Sequence, residues 1–321
     1  MKAAVVRALG QTPTYGDFED PQPRPGEVTV SVTAAAVSPI VIARASGIHY
    51  SAETKLPFVP GVDGTGRTPE DQPVFFAFPR PPFGSMAERA PVRSNFVVPL
   101  PEGIDPVAAA AAANPGMSCW LPLTTRARIR PGESVLVNGG TGSAGRMAIQ
   151  VAKHLGARKV IVTGRDETMF PALSELGADV VLSLRQPAPE LRDAIRRETA
   201  DSEVGVVLDY LWGPSAEAII DALGGPNAPR GASRVTFVQI GTLSGPTISL
   251  PGAKLRSSGV EILGAGLGSS TSEELVTGIG EFLKAFVAGR FKVEFAAYPL
   301  TEVERAWSGA SGGKRLVFTV P

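Results

Sequence analysis

Ser134-Val-Leu-Val-Asn-Gly-Gly-Thr-Gly-Ser-Ala-Gly-Arg-Met-Ala-Ile-Gln-Val-Ala-Lys153 runs from a short apolar stretch into glycines and then into a helical repeat. Ser134 to Val137 reads as a buried strand. Ala148, Val151, Ala152 and Leu155 recur at i, i+3, i+4 and i+7, one apolar helix face that Gly156 terminates. Strand, turn and helix in that order are what a dinucleotide site requires. Gly139 would allow the tight turn, Gly142 would let backbone approach a pyrophosphate, and Gly145 would permit close helix-strand packing. The helix N-terminus would offer its free N–H groups to the anion. Thr141, Ser143 and Ala144 are further candidate contacts within the same turn. The spacing is G-x-x-G-x-x-G, slightly off the G-x-G-x-x-G form. In a chain with 36 glycines, the pattern draws its weight from the strand and helix that flank it.

The alternation continues on the C-terminal side. Strands are expected at Lys159 to Thr163, Asp179 to Leu182, Val204 to Tyr210, Arg234 to Ile240 and Val260 to Leu263. Helices are expected at Glu167 to Leu176, Glu190 to Thr199 and Ser215 to Leu223. Right-handed crossovers would gather these strands into one doubly wound parallel sheet, an α/β domain spanning residues 120–268. Residues 1–119 differ in texture. Short β-rich pieces at Ala3 to Val6, Val28 to Thr33, Val74 to Ala77 and Phe96 to Val98 alternate with Pro and Gly clusters, as in a mostly antiparallel domain. Residues 269–321 begin with the capping-box pattern Thr271-Ser-Glu-Glu274 and a helix to about Arg290. Strands at Val293 to Tyr298 and Arg315 to Val320 follow, and this segment is expected to return to the first domain.

Charge and cysteine content exclude several function classes. Lys plus Arg and Asp plus Glu number 31 each, so no electrostatic capture of nucleic acid or an anionic membrane is expected. A small molecule is the expected partner. The N-terminus lacks the apolar core of a signal peptide, no stretch has the length of a membrane span, and Cys119 is the only cysteine. The expectation is a soluble, cytoplasmic protein without disulfides. Zinc sites draw on Cys and His, and Cys119, His49 and His154 lie far apart without ligand spacing. No metal is expected. His154 reads as a capping or packing residue of its helix, and Cys119 as a small buried one.

Pro23-Arg-Pro-Gly-Glu-Val28, Pro60-Gly-Val-Asp-Gly-Thr-Gly66, Ala112-Ala-Asn-Pro-Gly-Met117, the glycine turn, Leu176-Gly-Ala-Asp179 and Pro299-Leu-Thr-Glu-Val-Glu-Arg-Ala-Trp307 span nearly the whole chain. Together they resemble the medium-chain dehydrogenase/reductase superfamily, and within it the zinc-free quinone oxidoreductase branch. The resemblance implies a GroES-like catalytic domain, a Rossmann domain and a cleft between them. It also implies a homodimer paired through the Rossmann sheet. Where zinc-dependent members carry a metal-binding Cys, this chain has Ser38. Their Gly-His-Glu motif is replaced by Gly61-Val-Asp63, and the four-cysteine lobe is missing.

The end of the second strand bears on the choice of cofactor. An NAD site usually places an acid about 20 positions beyond the glycine turn. Here Thr163-Gly164-Arg165 stands instead, and a guanidinium suits a 2′-phosphate, so NADP is expected. A solvated Arg165 is the plain alternative, and Asp166 would favour a ribose hydroxyl if the turn were rotated by one residue. The resemblance places Gly241 and Gly266-Leu267 near the nicotinamide ribose and ring, with Asn114 facing the nicotinamide region. Strand-ending turns and a helix terminus before Pro115 are the alternative readings. Lys314 could reach the pyrophosphate or be simply solvated. Trp212 could shape the pocket or pack in the core.

Direct hydride transfer requires alignment, exclusion of water and stabilisation of negative charge on oxygen. In similar enzymes the Gly47 to Tyr50 segment borders the cleft, which makes Tyr50 the catalytic candidate and His49 a pocket residue. Both also suit an ordinary loop. Ser38 would line the pocket. The leading expectation is an NADPH-dependent reductase of quinones or other conjugated carbonyls. An enoyl or alkenal double-bond reductase of a biosynthetic pathway and an NADPH-binding redox sensor with little turnover stay open beside it.

Overall fold

The computed structural model describes residues 1–48, 55–200, 204–224, 234–307 and 314–321. The chain divides into two compact units, Met1–Asn114 with Val276–Pro321, and Pro115–Leu275. Both changes of unit fall inside helices, Pro106–Leu121 and Ser272–Ala288, and so differ by a few residues from the boundaries at 119 and 268 that the pattern suggests.

The Pro115–Leu275 unit is built on a six-stranded sheet. In spatial order its strands are Val180–Ser183, Val160–Gly164, Ser134–Asn138, Val204–Asp209, Val235–Gln239 and Val260–Gly264, all parallel. The order is 3-2-1-4-5-6, a doubly wound arrangement whose strand order reverses between the first and fourth strands. Val135, Leu136, Val137, Ile161, Val207 and Leu208 are buried, as continuous apolar runs must be when helices cover both faces. All six strands occur where the hydrophobic pattern places them, to within a residue or two. The glycine turn leads directly into the helix Ser143–His154.

The other unit centres on a seven-stranded sheet whose hub is the long strand Glu27–Ala36. That strand pairs antiparallel with Asp63–Arg67, Arg89–Arg93 and Arg315–Thr319. Phe295–Pro299 adds parallel to Arg315–Thr319, so both strands of the C-terminal segment lie in this sheet. Val30, Phe76, Met86 and Phe318 are fully buried at its core. Asp63-Gly-Thr-Gly-Arg67 is a strand that propensity conceals, because glycine is poor strand material. Its glycines answer to packing: a Cβ at Gly64 would lie 2.7 Å from the Ala34 carbonyl oxygen, and one at Gly66 2.3 Å from that of Ser31. The capping box forms as its residues indicate. Glu274 N–H donates to Thr271 Oγ1 at 3.1 Å, and Thr271 N–H donates to Glu274 Oε2 at 2.7 Å.

One of the alternative readings is set aside. Asn114 does not end a helix, because Pro106–Leu121 continues through Pro115. Proline in a helix interior costs ~3 kcal/mol or more. The fully buried run Ala109 to Ala113, together with buried Cys119 and Trp120, supplies apolar packing on both sides that offsets it.

Candidate functional site

At the switch point, four polar side chains are buried together. Asn138 ends the first strand and Asp209 ends the fourth, directly opposite in register. Asn138 Nδ2 donates to Asp209 Oδ1 at 2.7 Å and to Ser215 Oγ at 2.9 Å, while Thr163 Oγ1 donates to Asn138 Oδ1 at 2.6 Å. Asp209 Oδ1 also accepts the N–H groups of Leu211 (3.0 Å) and Trp212 (3.1 Å). Burial raises the Asp209 carboxyl above the usual carboxylate range, against the pull of these donors. The bonds to Leu211 and Trp212 hold the chain where Trp212 takes a left-handed φ of 59°, uncommon for a bulky residue. Trp212 is half-buried, with its ring edge-on to Phe237 at 6.2 Å. Tyr210 is buried, and its hydroxyl donates to the Ser118 carbonyl at 3.2 Å.

The same end of the sheet carries the glycine turn. Gly139 has φ of 102°, and its N–H donates to the Thr163 carbonyl oxygen at 3.2 Å. A Cβ on Gly145 would lie 2.3 Å from the Gly139 carbonyl oxygen, whereas one on Gly142 would meet nothing closer than 3.9 Å. Gly142 is thus exposed at the mouth of the turn, and as N-cap it puts no side chain on the N–H groups of Ser143, Ala144 and Gly145. Thr141 is half-buried with its methyl against Gly164, where a Cβ would lie 2.7 Å away. One residue on, Arg165 is exposed, while the Asp166 carboxylate accepts from Thr168 N–H (3.2 Å) and Thr168 Oγ1 (2.6 Å). Gly241 passes so near the fourth strand's end that a Cβ would sit 2.5 Å from the Tyr210 carbonyl oxygen. Gly266 N–H donates to Ser269 Oγ at 2.8 Å in the turn that also holds Leu267.

The remaining candidates belong to the other unit. Ser38 is buried, and its Oγ has no hydrogen-bond partner among the described residues. Asn114 Oδ1 accepts from an Nη of Arg315 at 3.0 Å. Arg315 is itself buried, with Asp63 as a charged neighbour. Burial pushes the Asp63 carboxyl up to about 6, although the Arg315 charge pulls it down. This buried acid and base are 252 positions apart, and only their strands in the sheet bring them together; an ionisable pair on apolar strands was the one available signal. Lys314 is exposed. His49 and Tyr50 lie outside the described residues. Cys119 is fully buried and its thiol is pushed far up by desolvation, while the His154 ring stands 6.5 Å from that of Trp120.

Comparison with known proteins draws these features together. Residues 144–282 match the family described as zinc-binding dehydrogenase. Over its full length the chain is 30% identical to a probable NADPH-dependent quinone reductase of Emericella nidulans, all of which it covers. The chain belongs to the medium-chain dehydrogenase/reductase superfamily, in its quinone-reductase-like branch. Among solved structures, a mycobacterial quinone oxidoreductase superposes with a TM-score of 0.87 at 24% identity, covering 99% of each chain. The Escherichia coli quinone oxidoreductase complexed with NADPH superposes with a TM-score of 0.83 at 22% identity, covering 99% of this chain and 100% of that one. Both likenesses show the fold.

Membership of this superfamily raises two cofactor questions. The turn fits a dinucleotide: it leaves an open mouth at Gly142, helix N–H groups without a side-chain cap, and a cradle that a Cβ at Gly145 would fill. The donor set does not fit zinc. The 144–282 match stops short of Ser38 and Asp63, so the family's description says nothing about those positions. Serine is a poor zinc ligand beside cysteine or histidine, and the buried guanidinium of Arg315 already supplies the positive charge near Asp63. Among the described residues, no three His, Cys, Asp or Glu side chains gather where they could hold a metal ion. Nor is any described helix long and apolar enough to cross a membrane.

Proposed function

We propose that this protein is an NADPH-dependent reductase that transfers hydride, without zinc, to a quinone or another conjugated carbonyl. The observation that carries this reading is the end of the second strand. There Arg165 stands exposed one residue beyond Gly164, while the acid next to it is engaged by Thr168. A carboxylate so engaged is a poor partner for a ribose hydroxyl, and a free guanidinium is a good one for a 2′-phosphate. The full-length likeness to a probable NADPH-dependent quinone reductase supports the same reading.

NADPH, when bound, supplies the hydride. The chain's contribution is to bind and orient. The turn from Gly139 to Gly145 takes the pyrophosphate on backbone N–H groups, with Thr141 and Ser143 at its mouth. Gly241, Gly266 and Leu267 are proposed to border the nicotinamide end. Ser38, whose buried hydroxyl has no hydrogen-bond partner among the described residues, and Asn114, held by Arg315, are the residues of the Met1–Asn114 unit proposed to meet the acceptor. Tyr50 is the group proposed to hydrogen-bond the acceptor oxygen as charge develops there.

The test is NADPH oxidation by the purified chain with 1,4-benzoquinone, methyl vinyl ketone and an enoyl thioester, each repeated with NADH and with a chelator. Turnover of the quinone with NADPH, unaffected by the chelator, is expected. Turnover confined to the thioester would move the acceptor to enoyl substrates, and binding without turnover would make the protein a sensor. We also propose a homodimer formed through the edge strand Val260–Gly264, which has a sheet neighbour on one side only. Light scattering should then report twice 33.4 kDa.

A further inference from the structure

The two loops that leave the second and third strands of the parallel sheet stay paired beyond it. The strands end in register with Gly164 opposite Ser183, and Leu184 N–H donates to the Gly164 carbonyl oxygen at 2.8 Å. One residue further the ladder is continued by a side chain, because Arg185 Nε donates to the Arg165 carbonyl oxygen at 2.8 Å. That bond uses one of the five N–H donors of Arg185 and fixes the guanidinium beside the loop that bears Arg165. Its terminal nitrogens stay available.

The acids nearby are engaged elsewhere. Glu167 Oε1 accepts from Ser183 Oγ at 2.5 Å, and Asp166 accepts from Thr168. Among the described residues neither Arg165 nor Arg185 forms an ion pair, and both are exposed. In a chain with equal numbers of acidic and basic residues, two guanidiniums without ion pairs among the described residues, one of them hydrogen-bonded to the backbone carbonyl of the other's residue, make a local site of positive charge. A phosphate monoester carries a charge of about −1.5 to −2 near neutral pH, more than one guanidinium balances.

We propose that Arg185 is a second specificity-determining residue for the cofactor's 2′-phosphate, presented by its bond to the Arg165 carbonyl and acting together with the Arg165 side chain. This rests on the NADP reading above and extends it to a residue twenty positions away.

Titration of the whole chain with 2′,5′-ADP and with 5′-AMP tests it, since the two probes differ only in that phosphate. The parent should prefer 2′,5′-ADP. Arg185→Ala should weaken 2′,5′-ADP about tenfold, as expected for loss of a charge-assisted contact, and leave 5′-AMP unchanged. Arg185→Lys should recover part of the loss, because it keeps the charge and loses the fork. Unchanged 2′,5′-ADP affinity in Arg185→Ala, or equal weakening of both probes, would overturn the proposal while leaving the NADP reading standing. A parent chain that binds both probes equally would overturn the NADP reading, and this proposal with it. Because Arg185 is exposed, the variant should melt at the parent's temperature, and that measurement confirms that a loss is local.

Discussion

Asp63 shows how much a single buried residue can reveal. It is 8% exposed, one of its oxygens has no hydrogen-bond partner among the described residues, and its carboxyl is pushed up to about 6 by burial. A raised acid pKa means that the folded state holds the proton more tightly than the unfolded chain. The associated stability is therefore full below the ordinary value of 3.8 and is lost as pH rises through about 6. At 1.36 kcal/mol per pKa unit the loss is ~3 kcal/mol. Denaturant unfolding of the parent and of Asp63→Asn between pH 4 and pH 7.5 should show that slope in the parent and its absence in the variant, whatever offset follows from leaving Arg315 without its acid. Parallel pH profiles would count against a buried, proton-holding Asp63. Arg165 was legible from sequence because it follows a strand that hydrophobic pattern locates. Asp166 was ambiguous there, since only the bonds to Thr168 show which way its carboxylate turns. Arg185 carried no local signal, and Asp63 and Arg315 only that of ionisable residues on strands, with nothing to pair them.

Among the elements, the strand-turn-helix from Ser134 to His154 was the most legible, because its period changes from strand to helix across glycines with backbone roles. Gly145 makes this testable. A Cβ there would meet the Gly139 carbonyl oxygen at 2.3 Å and the Gly140 Cα at 2.6 Å, both backbone atoms of the turn itself. Gly145→Ala should cost ~1–3 kcal/mol by overpacking and weaken NADPH binding by displacing the turn. Thermal unfolding and cofactor titration of the one variant check both, and parent-like values would remove the close-approach explanation. Asp63–Arg67 and the continuation of Pro106–Leu121 through Pro115 were not legible in this way. Local propensity opposes each, and tertiary packing decides: neighbouring backbone at Gly64 and Gly66, and buried alanines beside Pro115.

At the scale of the whole molecule, the contiguous unit Pro115–Leu275 contains the entire glycine turn and both loops that bear Arg165 and Arg185. NADPH should therefore stabilise the protein by linkage. At about 100 times its dissociation constant it adds ~2.7 kcal/mol, a rise of roughly 5–10 °C for a unit of this size. Scanning calorimetry with NADPH and with NADH at equal concentration should show the larger shift for NADPH, and equal shifts would argue against a 2′-phosphate site. The other unit is discontinuous. Arg315–Thr319 pairs with Glu27–Ala36, a closure between residues nearly three hundred positions apart.

That division separates what the sequence determined from what the tertiary structure decided. Hydrophobic period and turn glycines act within about twenty residues, so the parallel sheet, its order along the chain and the dinucleotide turn were all present in the sequence. The Asn138–Asp209 bond at the switch point, the burial of Asp63 with Arg315, and the seating of Arg185 on the Arg165 carbonyl join residues 71, 252 and 20 positions apart. Such contacts leave no periodic trace. They arise only when the sheets place the strand ends side by side, and burial then sets the protonation and hydrogen bonding of the groups that meet there.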